Sequence, residues 1–139
     1  MSHDAGRTIL CIDDDRGALD YHKALLESSG YEVLTAASGR QGLQIAEVQP
    51  IAVVVVDYQM PEMCGDEVAA AIKRVKPKVP VILVSAHDEI PEEALSIVDA
   101  FISKGEAERS LLPAIMRFTE MAGQRSKKGQ RLEDQIVSS

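Results

Sequence analysis

The heptapeptide IAVVVVD, residues 51–57, places six apolar residues before a single carboxylate. Its valines are β-branched and favour a strand over a helix, and the run is too short to cross a membrane. A strand this apolar is typical of a parallel sheet that helices cover on both faces. Ligands bind at the carboxyl ends of such strands, so Asp57 occupies a position where chemistry is expected. Taken alone, Asp57 would also suit a turn cap.

Composition narrows the class of protein. The 139 residues are 45% hydrophobic and 27% charged, which is typical of one globular domain. The net charge of -7 argues against direct nucleic-acid binding, which needs a basic face, and suits a site for a cation. Cys11 and Cys64 fit neither a metal-ligand nor a disulfide pattern. No signal peptide or membrane-length run is evident, so we expect a soluble cytoplasmic protein without membrane insertion.

Short apolar runs alternate with amphipathic segments along the chain, which predicts alternating strands and helices. Strands are predicted at 8–12, 31–36, 51–57, 79–84 and 100–103. Helices are predicted at 16–29, 38–49, 66–76, 91–98 and 110–123. We predict Asp15, Ser38 (with Gln41 in a capping box), Asp66 and Ser110 as caps, Pro91 as a first helical residue, and Pro113 in a first turn. Gly30 is predicted to end the first helix.

This alternation predicts an α/β fold, a doubly wound five-stranded parallel sheet with helices on both faces, because crossover connections are right-handed. A strand order of 2-1-3-4-5 would make strands one and three neighbours at the switch point. We expect one folded domain over residues 1–123. Residues 124–139 are polar, and we expect a flexible, solvated tail, with an amphipathic contact segment as the alternative.

Polar side chains follow four of the predicted strands. Asp13 and Asp14 follow the first strand, Asp57 the third, Ser85 the fourth and Lys104 the fifth. All of them are predicted to converge on one crevice, where the carboxylates either have raised pKa values or hold a divalent cation. Magnesium suits oxygen ligands of this kind. With an ammonium and a hydroxyl opposite, such a site binds a phosphoryl group, and Asp57 would be the nucleophile.

Four motifs carry a resemblance to a known family: ILCIDDD, VVVVDYQMP followed by Gly65, VILVSA, and FISK. In this order and spacing, they closely resemble the receiver domain of bacterial two-component response regulators, of the single-domain, chemotaxis type. The resemblance covers residue 8 to about residue 121 and implies a flavodoxin-like fold.

The resemblance implies a role for each site residue. Asp57 would accept a phosphoryl group from a histidine kinase or a histidine phosphotransfer protein. Asp14 and Asp57 would bind Mg²⁺ directly, Asp13 would do so largely through water, and Gln59 would contribute its main-chain carbonyl. Lys104 would pair with the phosphoryl group.

The resemblance also implies a switch. The Ser85 hydroxyl would move to the phosphoryl group, and the Phe101 rotamer would follow it. The surface made by the fourth helix, fifth strand and fifth helix would then change for a downstream target protein. Gln59 and His87 occupy the positions that tune dephosphorylation by water.

Two departures from the family pattern affect this interpretation. Lys104 precedes Gly105, where the family has a proline after a cis bond, and a non-proline cis bond costs ~3 kcal/mol. A trans bond is therefore expected, which would place the ammonium differently. Phe101 lacks the hydroxyl of the commoner tyrosine, so its two states would differ by packing alone.

The sequence favours a stand-alone signalling switch that assists its own phosphorylation and dephosphorylation, not an enzyme. One alternative is a Mg²⁺-dependent aspartyl-phosphate phosphatase, although the run after Ile12 does not otherwise match that class. The other is a degenerate receiver that binds partners without phosphorylation.

Other conspicuous residues are interpreted structurally. His22 is predicted to be a packed core histidine, and His87-Asp88-Glu89 a loop instead of a metal cluster. On the last helix, one apolar stripe is predicted to face the core: Leu111, Ile115, Phe118 and Ala122. Leu112 and Met116 widen that stripe, and we hypothesise that they form a partner or homodimer surface.

Overall fold

The computed structural model describes residues 5–120 of the chain. Ala122, the predicted helix end near Gly123 and the predicted tail at 124–139 lie outside the described residues. Strands β1 to β5 span Thr8–Ile12, Glu32–Ala36, Val53–Asp57, Val81–Ser85 and Ala100–Ser103. All pairings are parallel in the order β2-β1-β3-β4-β5, which confirms the predicted fold class and strand order.

Helices connect the strands and cover both faces of the sheet. Helices α1 to α4 span Arg16–Glu27, Gly39–Val48, Gly65–Val75 and Glu92–Ile97. Helix α5 runs from 107 to 120, the last described residue. A 3-10 turn at Ala5–Arg7, which was not predicted, precedes β1. All five predicted strands and all five predicted helices therefore occur, with ends that coincide or differ by a few residues.

Strand β3 supplies core residues to both faces, as its unbroken apolar run predicts. Val53 and Val55 pack with the α1 and α5 side of the sheet, together with Leu26 and Ile115. Val54 and Val56 pack in the other cluster, with residues of α2 and α3. Ile51 and Ala52 precede the strand and are partly exposed. The central strand is thus packed against core side chains on both faces of the sheet just before Asp57.

Three predicted helix-end signals on α1 and α2 are observed. The Asp15 carboxylate accepts hydrogen bonds from the Gly17 and Ala18 amides at 2.9 and 3.4 Å. Ser38 Oγ accepts from the Gln41 amide at 3.1 Å, but the Gln41 side chain accepts from Ala37 instead of from Ser38. Gly30 has φ +91°, the left-handed conformation expected after α1.

The predicted caps of α3 and α4 are wrong by one or two residues. Cys64, not Asp66, is the N-cap of α3, because the Glu67 carboxylate accepts a hydrogen bond from the Cys64 amide at 3.2 Å. Asp66 lies in the first turn. Val75, the last residue of α3, is 50% exposed. Pro91 is the N-cap of α4 and not its first residue.

The predicted start of α5 is also wrong. The chain turns tightly after β5, with the Ala107 amide donating to the Lys104 carbonyl, and continues directly into the helix. The Ser110 amide donates to the Glu106 carbonyl at 2.8 Å, so Ser110 lies inside the helix. Pro113 consequently lies beyond the first turn.

An ion pair fastens the amino edge of the sheet, opposite the ends of β1 and β3 that carry the aspartates. Lys73 Nζ on α3 lies 2.5 Å from Asp99 Oδ2 and donates to the Val79 carbonyl at 2.9 Å. The same Asp99 oxygen accepts from the Val81 amide at 2.8 Å. Helix α3, the start of β4 and the start of β5 are therefore tied at one point.

Candidate functional site

The carboxyl ends of β1, β3, β4 and β5 bring the predicted polar residues together. Asp13 and Asp57 are buried, with 3% and 5% of their surfaces exposed, whereas Asp14 is exposed. Lys104 Nζ lies 3.2 Å from Asp57 Oδ1 and 3.4 Å from Asp13 Oδ2. Two buried carboxylates thus share one ammonium at this edge.

Backbone hydrogen bonds hold the two aspartates in place. The Asp13 amide donates to the Ala36 carbonyl at 3.1 Å, and Asp13 Oδ1 accepts from the Asp15 amide at 3.0 Å. Beyond Asp57, the Tyr58 amide donates to the Val84 carbonyl at 2.8 Å, which continues the β3–β4 ladder past the strand end. The sheet therefore fixes the backbone at both aspartates, and the Asp15 amide orients the Asp13 carboxylate.

The peptide bond between Lys104 and Gly105 is trans, since none of the residues 5–120 follows a cis bond. The Lys104 amide donates to the Ser85 carbonyl at 2.7 Å, so β4 fixes its backbone. The side chain still reaches both carboxylates without the family's proline.

Ser85 lies at the end of β4 and is fully buried. Its hydroxyl oxygen accepts a hydrogen bond from the His87 amide at 3.1 Å. The His87 and Gln59 side chains are exposed in the neighbouring loops. Phe101 is partly buried against the cluster that contains Leu83 and Val56. Residues 87–89 form an exposed loop, as predicted.

The electrostatics of the cluster disfavour the ionised form of Asp57. Burial and the nearby Asp13 carboxylate raise the pKa of Asp57 to about 6, although Lys104 acts in the opposite direction. Burial alone would lower the pKa of Lys104, but Asp57 and Asp13 more than offset this and raise it. The site therefore carries an excess of negative charge that a cation would relieve.

The acidic residues fit a divalent metal ion. One carboxylate oxygen from each of Asp13, Asp14 and Asp57 lies within 4.8 Å of the others. Hard oxygen donors on two adjacent strand ends, one of them exposed, suit Mg²⁺, which keeps several of its waters. The repulsion that raises the pKa of Asp57 is the repulsion that such an ion would remove.

A cavity of about 400 Å³ lies beside this cluster, between α1 and the turn that leads into α5. Lys104 lines it, and so does His22, which is buried on the inner face of α1 as predicted. Burial lowers the pKa of His22, an effect that Asp13 opposes and Lys104 reinforces. Sequence patterns predicted a packed histidine but not a cavity, because the cavity depends on how α1 and α5 pack.

A doubly wound parallel sheet with an acidic trio and a lysine at its carboxyl edge is the arrangement of a receiver domain. The chain belongs to the response regulator receiver domain family, whose sequence profile matches residues 9–116. Receiver domains are signalling switches, and this match confirms the resemblance inferred from the motifs. Among residues 5–120, no helix has the length and apolar character needed to span a bilayer.

Relatives and solved structures agree with this assignment. The transcriptional regulatory protein GlrR of Escherichia coli is 36% identical over 118 residues, 83% of this chain and 26% of that protein. The regulatory protein PhoP of Bacillus subtilis is 30% identical over 138 residues, 94% of this chain and 58% of that protein. The chain therefore spans between about a quarter and three-fifths of these two relatives.

Two solved structures are similar in fold to more than four-fifths of this chain. A CheY-like receiver domain protein from Methanospirillum hungatei has a TM-score of 0.79 and 29% identity, covering 86% of this chain and 98% of that chain. The response regulator TrrA of Thermotoga maritima, solved in complex with Mg²⁺-BeF, has a TM-score of 0.76 and 26% identity, covering 81% and 98%.

Proposed function

We propose that the chain is a phosphoacceptor in a two-component phosphorelay, with Asp57 as the residue that is phosphorylated. The observation that carries the proposal is the buried Asp57 carboxylate, 3.2 Å from the Lys104 ammonium and within reach of Asp13 and Asp14. The donor would be a histidine kinase or a histidine phosphotransfer protein. Both cysteines are free thiols, which fits a phosphoryl transfer that takes place in the reducing cytoplasm.

The acidic trio and the main-chain carbonyl of Gln59 would hold Mg²⁺, which supplies positive charge against the phosphoryl oxygens when it is bound. A carboxylate oxygen of Asp57 attacks the phosphorus of the phosphohistidine. The phosphorus–nitrogen bond breaks, and the histidine ring leaves with the electron pair. Lys104 pairs with the equatorial oxygens, where charge must be neutralised.

Ser85 is the first element of the proposed switch. Its hydroxyl now accepts a hydrogen bond from the His87 amide. Turning to donate to the phosphoryl group would draw the chain between β4 and α4 toward Asp57. Phe101 packs beside Leu83 on the neighbouring strand and would repack by apolar contact alone. The surface of α4, β5 and α5 would then bind a target differently.

Met116 is proposed as part of a surface for the target or for a second copy of the chain. It is 42% exposed on α5, whereas Leu112 beside it is only partly exposed and packs against the core. Met116→Glu should weaken self-association or target binding. The proposal for this surface fails if kinase binding, target binding and self-association all survive the change.

The central test uses a small phosphodonor. Wild-type protein, Asp57→Asn and the exposed α1 control Asp20→Asn are incubated with acetyl phosphate and Mg²⁺, and intact mass is measured. Wild type and Asp20→Asn should gain one phosphoryl group, and Asp57→Asn should gain none. No gain in wild type would favour a binding module that works without phosphorylation. Steady turnover of a phosphate ester would favour a phosphatase.

A further inference from the structure

The cavity beside the acidic cluster contains a buried side chain that no contact described so far explains. Only 7% of the His22 surface is exposed, and His22 lines this cavity of about 400 Å³. Within residues 5–120 the imidazole has no hydrogen-bond partner, and no fully enclosed side-chain nitrogen is left unsatisfied. Its ring nitrogens are therefore not fully enclosed, and because His22 lines the cavity, a neutral imidazole can offer one acceptor to a molecule bound there.

The other polar groups that line the cavity are mostly anionic. Asp15, the N-cap of α1, and Glu108, on α5, line it and are exposed. Asp15 Oδ1 caps α1, which leaves its second oxygen without a described hydrogen bond. Of the residues that line the cavity, Lys104 alone is a full cation, and its ammonium is already paired with Asp13 and Asp57. The lining thus favours a positively charged guest.

An aromatic side chain in the lining, Tyr21, indicates which kind of cation the cavity would bind. Tyr21 lines the cavity, is 44% exposed, and its ring centroid lies 5.8 Å from that of His22. A planar guanidinium stacks on aromatic faces and donates several hydrogen bonds in one plane. Two carboxylates, an imidazole acceptor and a phenol ring match those donors better than they match a compact ammonium.

We propose that this cavity binds the guanidinium of an arginine side chain carried by the protein that phosphorylates Asp57. The inference rests on the proposed function. Lys104 belongs to both the cavity and the Asp57 cluster, so a protein that presents a phosphohistidine to Asp57 would come within reach of the cavity as well. Arginine insertion would orient that protein, which makes His22 and Glu108 specificity residues and not catalytic ones.

The test measures binding of a probe that isolates the side chain. N-acetyl-arginine amide is titrated into the full chain while the amide signals of α1 and the turn before α5 are followed by NMR. Wild type should bind with a Kd of about 1–10 mM, as expected for one side chain. The neutral N-acetyl-citrulline amide should not bind, and N-acetyl-lysine amide should bind more weakly.

Variants assign the interaction to the cavity. Glu108→Gln should weaken binding about threefold and His22→Leu about tenfold, from the loss of a charge and of an acceptor. Glu120→Gln, exposed at the far end of the described part of α5, should bind like wild type. Because a buried change can unfold the protein, Glu108→Gln decides the outcome if His22→Leu is unstable.

Several results would overturn the inference: no shift around the cavity, equal binding of the citrulline probe, or an unchanged Kd in Glu108→Gln. A Kd below about 10 µM for the free probe would also overturn it, by pointing to a free metabolite as the guest. Acetyl phosphate phosphorylation of wild type and Glu108→Gln is measured in parallel and should be equal. Failure of that reaction in wild type refutes the proposed function, not the cation site.

Discussion

Gly65 lies against the backbone of Asp57 so closely that no side chain fits between them. A Cβ on Gly65 would stand 2.4 Å from the Asp57 carbonyl oxygen and 2.8 Å from the Tyr58 Cα. The Gly65 amide also donates to the Tyr58 carbonyl at 2.7 Å. The start of α3 is thus docked on the end of β3, directly behind the proposed phosphoacceptor.

Gly65→Ala should therefore damage both stability and the site. The clash is with backbone, which cannot rotate away, so we expect unfolding free energy to fall by about 1–3 kcal/mol. Phosphorylation of Asp57 by acetyl phosphate should also slow. Gly105→Ala is the control, because a Cβ there meets nothing within 4 Å. Equal urea midpoints and equal phosphorylation rates for the two variants would contradict this account.

Asp57→Asn should stabilise the protein when metal is removed. The folded pKa of about 6 exceeds the ordinary value of 3.8, so the folded state binds more protons in that window. Wild-type stability therefore falls as the pH rises from 3.8 through about 6 and stays lower above it. In EDTA at pH 8 the variant should be more stable by about 1 kcal/mol, a difference that disappears below about pH 4.

Magnesium should make the wild type more stable than Asp57→Asn, the reverse of the order expected in EDTA. An ion bound to the acidic trio stabilises the folded wild type and has fewer ligands in Asp57→Asn. Urea unfolding of both proteins at pH 8, with EDTA and with Mg²⁺, shows which protein is the more stable in each condition. A wild type that is the more stable protein in EDTA would show that Asp57 is not destabilised by its surroundings.

Gln59 and His87 should set the lifetime of the phosphorylated state, not the ability to form it. Both side chains are exposed, two residues beyond Asp57 and Ser85 in the loops that follow β3 and β4. Replacing both with alanine should change the dephosphorylation rate by about threefold or more, as for groups that position or assist water. Asp88→Ala, in the same loop, is the control. An unchanged rate in the double variant would refute the assignment.

Glu62 carries backbone strain that a glycine would release. Its φ of 69° is left-handed, a conformation in which a Cβ crowds the following carbonyl. Glu62→Gly should raise the free energy of unfolding by about 0.5–1 kcal/mol, after the entropy that glycine adds to the unfolded chain. Glu62→Gln, which keeps the Cβ and removes the charge, should stay within about 0.5 kcal/mol of wild type. Chemical denaturation compares the three proteins.

The sheet could be predicted closely because its signals are local. β1 and β5 have the predicted ends, since short apolar runs stop at polar residues at both. The convergence of Asp13, Asp57 and Lys104 also followed from sequence, because parallel strands place their carboxyl ends at one edge.

Helix starts were harder to predict because tertiary contacts decide them. Asp66 has the chemistry of a cap, yet α3 already begins at Gly65, which is packed on the Asp57 backbone, and Cys64 is its N-cap. The cavity at His22 was missed for a similar reason. It lies between α1 and the turn into α5, and no pattern within either segment reports their spacing.

The ion pair of Lys73 with Asp99 has a mechanical consequence for α4. Because Asp99 is held at once by α3 and by the first residue of β4, the C-terminal end of α4 is pinned. The N-terminal end of α4 is connected to Ser85 by the loop after β4, and its first turn contains Glu92 and Glu93. We expect α4 to rotate about Asp99. A small displacement of the chain at Ser85 would then shift the Glu92 and Glu93 carboxylates along the protein surface.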